Sequence, residues 1–450
     1  MRSNNSSATD RVAIVGAGIA GSAAAYFARV AFGSDLSVVV FEQSARIGGR
    51  IQHRPFAGTI VETGATLMHS SNAYLCQFID ELGLRQALPH NRTGESSPTV
   101  GIWNGDTFAF KSHRSELRTA AKMFSRYGRT PVRIRRIVKS AVKEWIRIYD
   151  LQRTGRVYST PEEMFTELGL YQLCKEPSRA FFAREGIADS FVREFIDGIS
   201  RNNYGQDSGI HALVNLFSLA GAGFAGGHLF SVMGGNSQVC ERLLKRANAD
   251  VRSRNRVIKI AVDSSNPKQY SITTTSGSEP GFDAVIIAMP LELASIEFEG
   301  AVAEDLCYSG RSYQVTHATL VAGDLNAEFF EAQSTNDLPD TILTTENPRL
   351  WFSSVGRIGT SSATRHPIYK VFSRETLTDE QISELFAKPS EVERFVWLAY
   401  PVLKPSQQWP PFRLGRRIYY ANAMESAVST METEAVAGRN VVGLLRQDFS

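Results

Sequence analysis

Apolar residues fall into short unbroken runs at widely separated places along the chain. Residues 12–19 read VAIVGAGI, a run that ends in glycines, and residues 36–41 read LSVVVF and are followed by Glu42. Residues 282–290 read FDAVIIAMP and end in a breaker. Unbroken runs of this length predict strands buried on both faces, as in a parallel sheet. The alanine-rich stretch 20–30 predicts a helix between the first two, which makes the N-terminal region a βαβ unit. Residues 256–262 and 270–275 alternate between apolar and polar and predict a small antiparallel layer. Residues 417–421 predict a late strand, and residues 426–445 a closing helix of small and apolar residues.

Elements of one nucleotide-binding unit therefore occur at the start, the middle and the end of the chain. The pattern predicts an α/β protein with a Rossmann-type domain assembled from discontinuous segments, 11–90, 231–300 and 412–450. Residues 91–230 and 301–411 would form an inserted mixed α+β substrate domain with a helical insertion. Within that insertion Ile134, Val138, Ala141, Trp145 and Ile148 fall at helical spacing, while Arg133, Arg136, Lys139, Lys143 and Arg147 mark the other side. Such a helix over 133–149 either packs on the core with a solvated basic face or makes peripheral membrane contact, for which tryptophan and arginine are suited.

Composition narrows the class. With 450 residues, 43% hydrophobic and 21% charged, the chain is an ordinary globular protein able to bury a large core. A net charge of +3 gives no case for nucleic acid as a partner. Cys76, Cys174, Cys240 and Cys307 stand far apart, which argues against a zinc site or a disulfide framework and for buried thiols. The polar start, MRSNNSSATDR, lacks the apolar core of a signal peptide, and no window matches the length of a membrane span, so the expected location is cytoplasmic or peripheral to a membrane.

The candidate chemistry begins at Gly16, Gly18 and Gly21, a GxGxxG segment. The first glycine permits a tight turn, the second lets backbone approach a pyrophosphate, and the third lets helix and strand pack closely. The helix that follows offers unpaired N–H groups and its positive end to phosphates. Glu42, 21 residues after Gly21, is placed to accept hydrogen bonds from ribose hydroxyls.

Residues 46–50, RIGGR, come directly after the acid-tipped strand, and residues 58–65 read GTIVETGA. Many flavoprotein oxidases carry such a GGR segment at this place, and the second segment, with residues 231–236 (SVMGGN), resembles the amine-oxidase superfamily. Gly49 would lie against FAD and Arg50 would counter its diphosphate. Glu62, Gly64 and Ala65 would pass the flavin, with Val257 and Glu425 as further cofactor contacts. Across nearly the whole chain, the pieces NNYGQ (202–206), ILTTEN (342–347), KVFSRETLTDEQISELF (370–386), WLAYPVLKP (397–405) and YYANAMESAVSTME (419–432) resemble prenylcysteine oxidase, in the same order. No second GxGxxG stands where it would argue for a separate nicotinamide-binding domain, which favours reoxidation by dioxygen.

The resemblance implies a non-covalently bound FAD and cleavage of a prenylated thioether to prenyl aldehyde, cysteine and hydrogen peroxide. The reacting carbon is allylic and bonded to sulfur, so hydride loss from it needs no strong base, only orientation. Burial of a tail of about fifteen carbons offers roughly 10 kcal/mol, partly offset by ordering. The apolar stretch 213–230 is a candidate lining. His69, Tyr204 and Gln206 are the catalytic candidates. Relatives have a leader sequence, a glycine where this chain has Ala423, and an acid where it has Met233. These differences leave room for a relative that oxidises another prenylated small molecule, with cyclisation when an internal phenol captures the cation. A third reading is a non-redox binder of prenylated proteins, as in Rab escort proteins, against which the intact GxGxxG, Glu42 and GGR segment argue.

Overall fold

The computed structural model describes residues 10–88, 99–299, 310–406 and 408–449. Its central layer is a six-stranded sheet in the order Asp250–Arg252, Leu36–Phe41, Asp10–Val15, Ala284–Ile287, Ile418–Tyr420 and Arg413–Gly415. The first five strands are parallel and the last is antiparallel to its neighbour. Val12, Ile14, Val40 and all of Ala284–Ile287 have no exposed surface, which is why these strands read as unbroken apolar runs.

The other sheets carry the rest. A four-stranded layer (Gly277–Phe282, Tyr270–Thr274, Val257–Val262, Glu297–Glu299) adjoins the nucleotide sheet. A seven-stranded sheet is built only from strands between residues 100 and 111 and between 313 and 401, with the long strands Tyr313–Leu325 and Phe386–Pro401 at one side. Hairpin Gln52–Phe56/Thr59–Gly64 and a small sheet of Met68–His69, Leu229–Val232 and Gln86–Ala87 lie between these layers in the chain.

Two expected elements differ in extent or in use. The closing helix is Met431–Phe449, later than expected, because Thr430 Oγ1 accepts the Thr433 N–H (3.2 Å) and caps it there. Residues 421–426 form a separate 3-10 turn. The basic helix runs Thr130–Arg153 with Ile134, Val138, Ala141, Trp145 and Ile148 inward. Trp145 is only 5% exposed and stacks on Phe165, so it is a core residue and not an interfacial anchor. In the candidate tail lining, Leu213, Val214, Leu216 and Leu219 are sealed in the core, while Phe217 and Phe224 keep accessible surface. Cys76, Cys174 and Cys240 are free thiols, the last two buried; Cys307 lies outside the described residues.

The closing helix packs on the first helix, Ile19–Phe32, through Gly438. A Cβ there would sit 2.8 Å from Ala20 O and 3.1 Å from the Ala24 nitrogen. Gly438→Val should therefore push the two helices apart and lower stability by about 1–3 kcal/mol, read as a fall in Tm by calorimetry.

Candidate functional site

The site grows from the turn after the first strand. Gly16 donates its N–H to Phe41 O (2.8 Å), and a Cβ on Gly21 would lie 2.0 Å from Gly16 O, so only glycine allows the helix to start this close. Gly18 precedes the helix in extended conformation and supplies no side-chain cap, which leaves first-turn N–H groups for an anion. Gly49 has φ +57°, and a Cβ on it would come within 3.2 Å of Gly18 Cα. The two glycine segments predicted to hold the cofactor thus meet backbone to backbone, with Gly48 donating to Ala17 O (2.9 Å).

Glu42 is buried at the tip of its strand. Its Oε2 accepts the Ala17 N–H (3.0 Å) and its Oε1 the Ser44 N–H (2.8 Å). Each oxygen keeps a lone pair for a hydroxyl. Residues 252–255 are pinned alongside, by Glu42 N–H to Arg252 O and Asn255 N–H to Glu42 O, and this fixes the approach to buried Val257. Backbone cradle, uncapped helix end and buried acid together fit the diphosphate and ribose of a dinucleotide.

Beyond the cradle the chain turns into the hairpin. A Cβ on Gly64 would lie 2.4 Å from Arg50 O, and Ala65 adopts φ +53°. This bend is clamped by Asn236, whose Nδ2 donates to Ala65 O (2.8 Å) and Thr66 O (3.0 Å) and whose backbone N–H donates to Glu62 Oε1 (2.6 Å). From the seven-stranded sheet Lys370 reaches in and donates to Glu62 O (2.9 Å) and Thr66 Oγ1 (3.0 Å). Burial pushes the Lys370 ammonium down to about 8 and the Glu62 carboxyl up to about 7, each resisted by the charge of the other. Neither Lys370 nor the clamping role of Asn236 was foreseen; the only signal was that KVF and GGN belonged to the resembling pieces.

Arg50 pairs with Glu425 and also donates to Ala399 O (2.8 Å), while keeping 32% of its side-chain surface. Glu425 has none exposed; its Oε2 accepts from Tyr313 (2.7 Å) and faces Arg311 (3.5 Å). Burial acts to raise its pKa, but Arg50 and Arg311 outweigh burial and hold it below the ordinary range. Arg311 also pairs with Glu292 and donates to Ser426 Oγ (3.0 Å). Glu434, in the first turn of the closing helix, is buried without a hydrogen-bond partner for either oxygen. Burial, then the nearby charge of Glu425, push its pKa well up and keep it neutral. Arg311, Tyr313 and Glu434 carry no motif and were missed by sequence.

The three catalytic candidates lie in different settings. His69 Nε2 meets Gly226 O (2.7 Å), and Nδ1 meets Ser71 Oγ (2.7 Å) and accepts the Ser71 N–H (3.1 Å). A carbonyl can only accept, so Nε2 bears the proton and the remaining lone pair is taken. Gln206 donates to Pro401 O (3.1 Å) and Tyr204 O (3.2 Å) and accepts the Leu403 N–H (2.9 Å), bracing residues 401–403. Tyr204 packs edge-on against Tyr400, next in sequence to the Ala399 carbonyl that holds Arg50. Tyr204 and Gln206 are thereby joined to Arg50 through one strand end; His69 sits apart, in the small sheet beyond the Ala65 bend.

Two outcomes test this arrangement. Glu425→Gln leaves Arg50 and Arg311 without their shared counter-charge and should cost about 3 kcal/mol in chemical denaturation, with loss of bound chromophore. Lys370 loses its proton near pH 8 when folded but near 10.5 when unfolded. In that window the unfolded chain binds more protons, so this residue makes stability rise with pH. Denaturation of Lys370→Met at pH 8 and pH 10 should show that rise diminished relative to the unsubstituted protein.

Comparison with known proteins agrees with this geometry. An NAD(P)-binding Rossmann-like domain model matches residues 14–82, and the prenylcysteine lyase model matches residues 110–450. The chain is 31% identical to farnesylcysteine lyase of Arabidopsis thaliana over 97% of its own length and 88% of the relative's. It is 30% identical to prenylcysteine oxidase 1 of Homo sapiens, over 96% and 88%. Among solved structures it shares the fold of cyclohexylamine oxidase from Brevibacterium oxydans, with a TM-score of 0.65 at 16% identity, covering 98% and 99% of the two chains. The cradle is accordingly that of a Rossmann-like dinucleotide-binding domain, and the chain belongs to the prenylcysteine lyase family.

Proposed function

We propose that this protein is an FAD-dependent oxidase of prenylated thioethers. Prenylcysteine, dioxygen and water would give prenyl aldehyde, cysteine and hydrogen peroxide, with the C–S bond broken after two-electron oxidation of the allylic carbon beside sulfur. The observation that carries the reading is the intact cradle, Gly16, Gly18, Gly21, Gly49 and Glu42, in a chain that matches farnesylcysteine lyase almost end to end. FAD, when bound, supplies the two-electron acceptor and the route to dioxygen.

The chain's own residues bind and orient. Glu42 holds the ribose, the Gly18–Gly49 contact and the helix end hold the diphosphate, and Glu62, Gly64 and Ala65 shape the bend that the flavin would pass. Arg50 and Glu425 fix the position of that bend relative to the closing helix, with Val257 backing the adenosine end. Tyr204 and Gln206 form and brace an aromatic wall on the substrate side, and His69, its lone pair already used, positions the loop around Gly226. No residue is required to act as a strong base. We assign the domains as residues 11–90, 231–300 and 412–450 for the cofactor and 91–230 and 301–411 for the substrate.

A second reading, oxidation of a different prenylated small molecule, is favoured by Ala423. This residue lies fully buried in the turn that carries Glu425, at a place where the pattern of the resembling family has glycine. Anaerobic mixing of the flavin-loaded protein with farnesylcysteine separates the two. Bleaching of the visible flavin band with release of farnesal and cysteine is expected. A yellow protein that stays oxidised rejects thioether cleavage and directs the search to other prenylated metabolites.

A further inference from the structure

Residues 111–147 hold twelve Lys and Arg against two acids, in a chain whose net charge is only +3. The structure folds this segment into two consecutive helices, Glu116–Tyr127 and Thr130–Arg153, that pack on each other. The second helix turns Ile134, Val138, Ala141, Trp145 and Ile148 to the core. Its opposite face, at helical spacing, carries Arg135, Arg136, Lys139 and Lys143, all exposed. Among the described residues none of these four makes an ion pair, unlike Arg126 with Glu194 and Arg147 with Glu144.

The first helix is the unusual one. Only Tyr127 of its twelve residues is buried. Leu117, Ala121 and Phe124, at i, i+4 and i+7, line one exposed face, and Leu117 and Phe124 are 84% and 59% exposed. Arg118 and Lys122 follow one position after Leu117 and Ala121, so cations border the apolar stripe. Past the turn, Val132 is also 61% exposed. A solvated basic helix has no need of exposed leucine and phenylalanine, and a nucleic-acid surface has no use for a leucine that protrudes.

We propose that these two helices dock the protein on an anionic lipid bilayer, with Leu117 and Phe124 entering the headgroup boundary and Arg135, Arg136, Lys139 and Lys143 facing the acidic headgroups. Unpaired cations near such a surface each add attraction, and a short apolar stripe adds burial without spanning. Among the described residues no helix is long and apolar enough to cross a membrane, so contact is peripheral. The inference rests on the proposed function only for the reason a bilayer is visited: a prenyl tail partitions into lipid.

The test is co-sedimentation of the full chain with phosphatidylcholine vesicles, with and without phosphatidylserine. Binding that requires phosphatidylserine and weakens with salt is expected. Leu117→Asp with Phe124→Asp, and separately Gln at positions 135, 136, 139 and 143, should each weaken it by about tenfold or more while chromophore content and circular dichroism stay unchanged. Absence of vesicle binding, or binding indifferent to phosphatidylserine, overturns the proposal. So does binding lost in the Gln variant but kept in the Asp variant, which marks a purely electrostatic surface for an acidic macromolecule. Sedimentation reads no turnover; a protein that binds vesicles yet leaves farnesylcysteine intact rejects the thioether reading alone.

Discussion

The structure turns on one buried carboxylate, Glu425, and the two guanidinium groups that compensate it. A carboxylate with no exposed surface is tenable only when paired and hydrogen-bonded. Arg50 comes from the glycine segment after the second strand, Arg311 and Tyr313 from the start of the seven-stranded sheet, and Glu425 from the turn before the closing helix. Three remote stretches of chain are therefore fixed to one point. Glu292 pairs with Arg311, so two guanidinium groups face two carboxylates at this point. Burial, reinforced by the nearby charge of Glu425, raises the Glu434 pKa well above the ordinary carboxyl range.

A second joint is made without charge. Gly18 and Gly49 touch through backbone, and no side chain intervenes at the place where a diphosphate needs close approach. The bend at Ala65 is then held from two sides, by Asn236 from the segment after Phe230 and by Lys370 from the inserted sheet. Lys370 and Glu62 together place two groups of shifted basicity next to the bend. The groups that hold this bend find their partners inside the protein, so its conformation is preorganised.

The pieces that carried the family resemblance prove to be neighbours. NNYGQ and WLAYPVLKP lie almost 200 residues apart in sequence, yet Gln206 bonds both Pro401 and Leu403, and Tyr204 packs on Tyr400. The same strand end supplies Ala399 O to Arg50. Membership in the prenylcysteine lyase family is therefore matched by a continuous physical chain from the candidate substrate wall to the cofactor cradle.

Local rules in the sequence determined the parallel strands, the first helix, the glycine turn and Glu42. Each depends on residues close together in the chain: an unbroken apolar run, a helix start, an acid at a strand tip. The same rules found the inward face of the basic helix. They placed the start of the closing helix too early, because apolar content does not show that Thr430 caps it. They left open whether the basic helix packs on the core or meets a membrane, because helical spacing says which residues share a face and not what lies against it; the stacking of Trp145 on Phe165 puts that residue in the core. Tertiary structure alone decided the partners of Glu425, the reach of Lys370 to Thr66, the neutrality of Glu434 and the engaged ring of His69. Burial and charge compensation are properties of groups brought together from distant segments, and no local pattern encodes them.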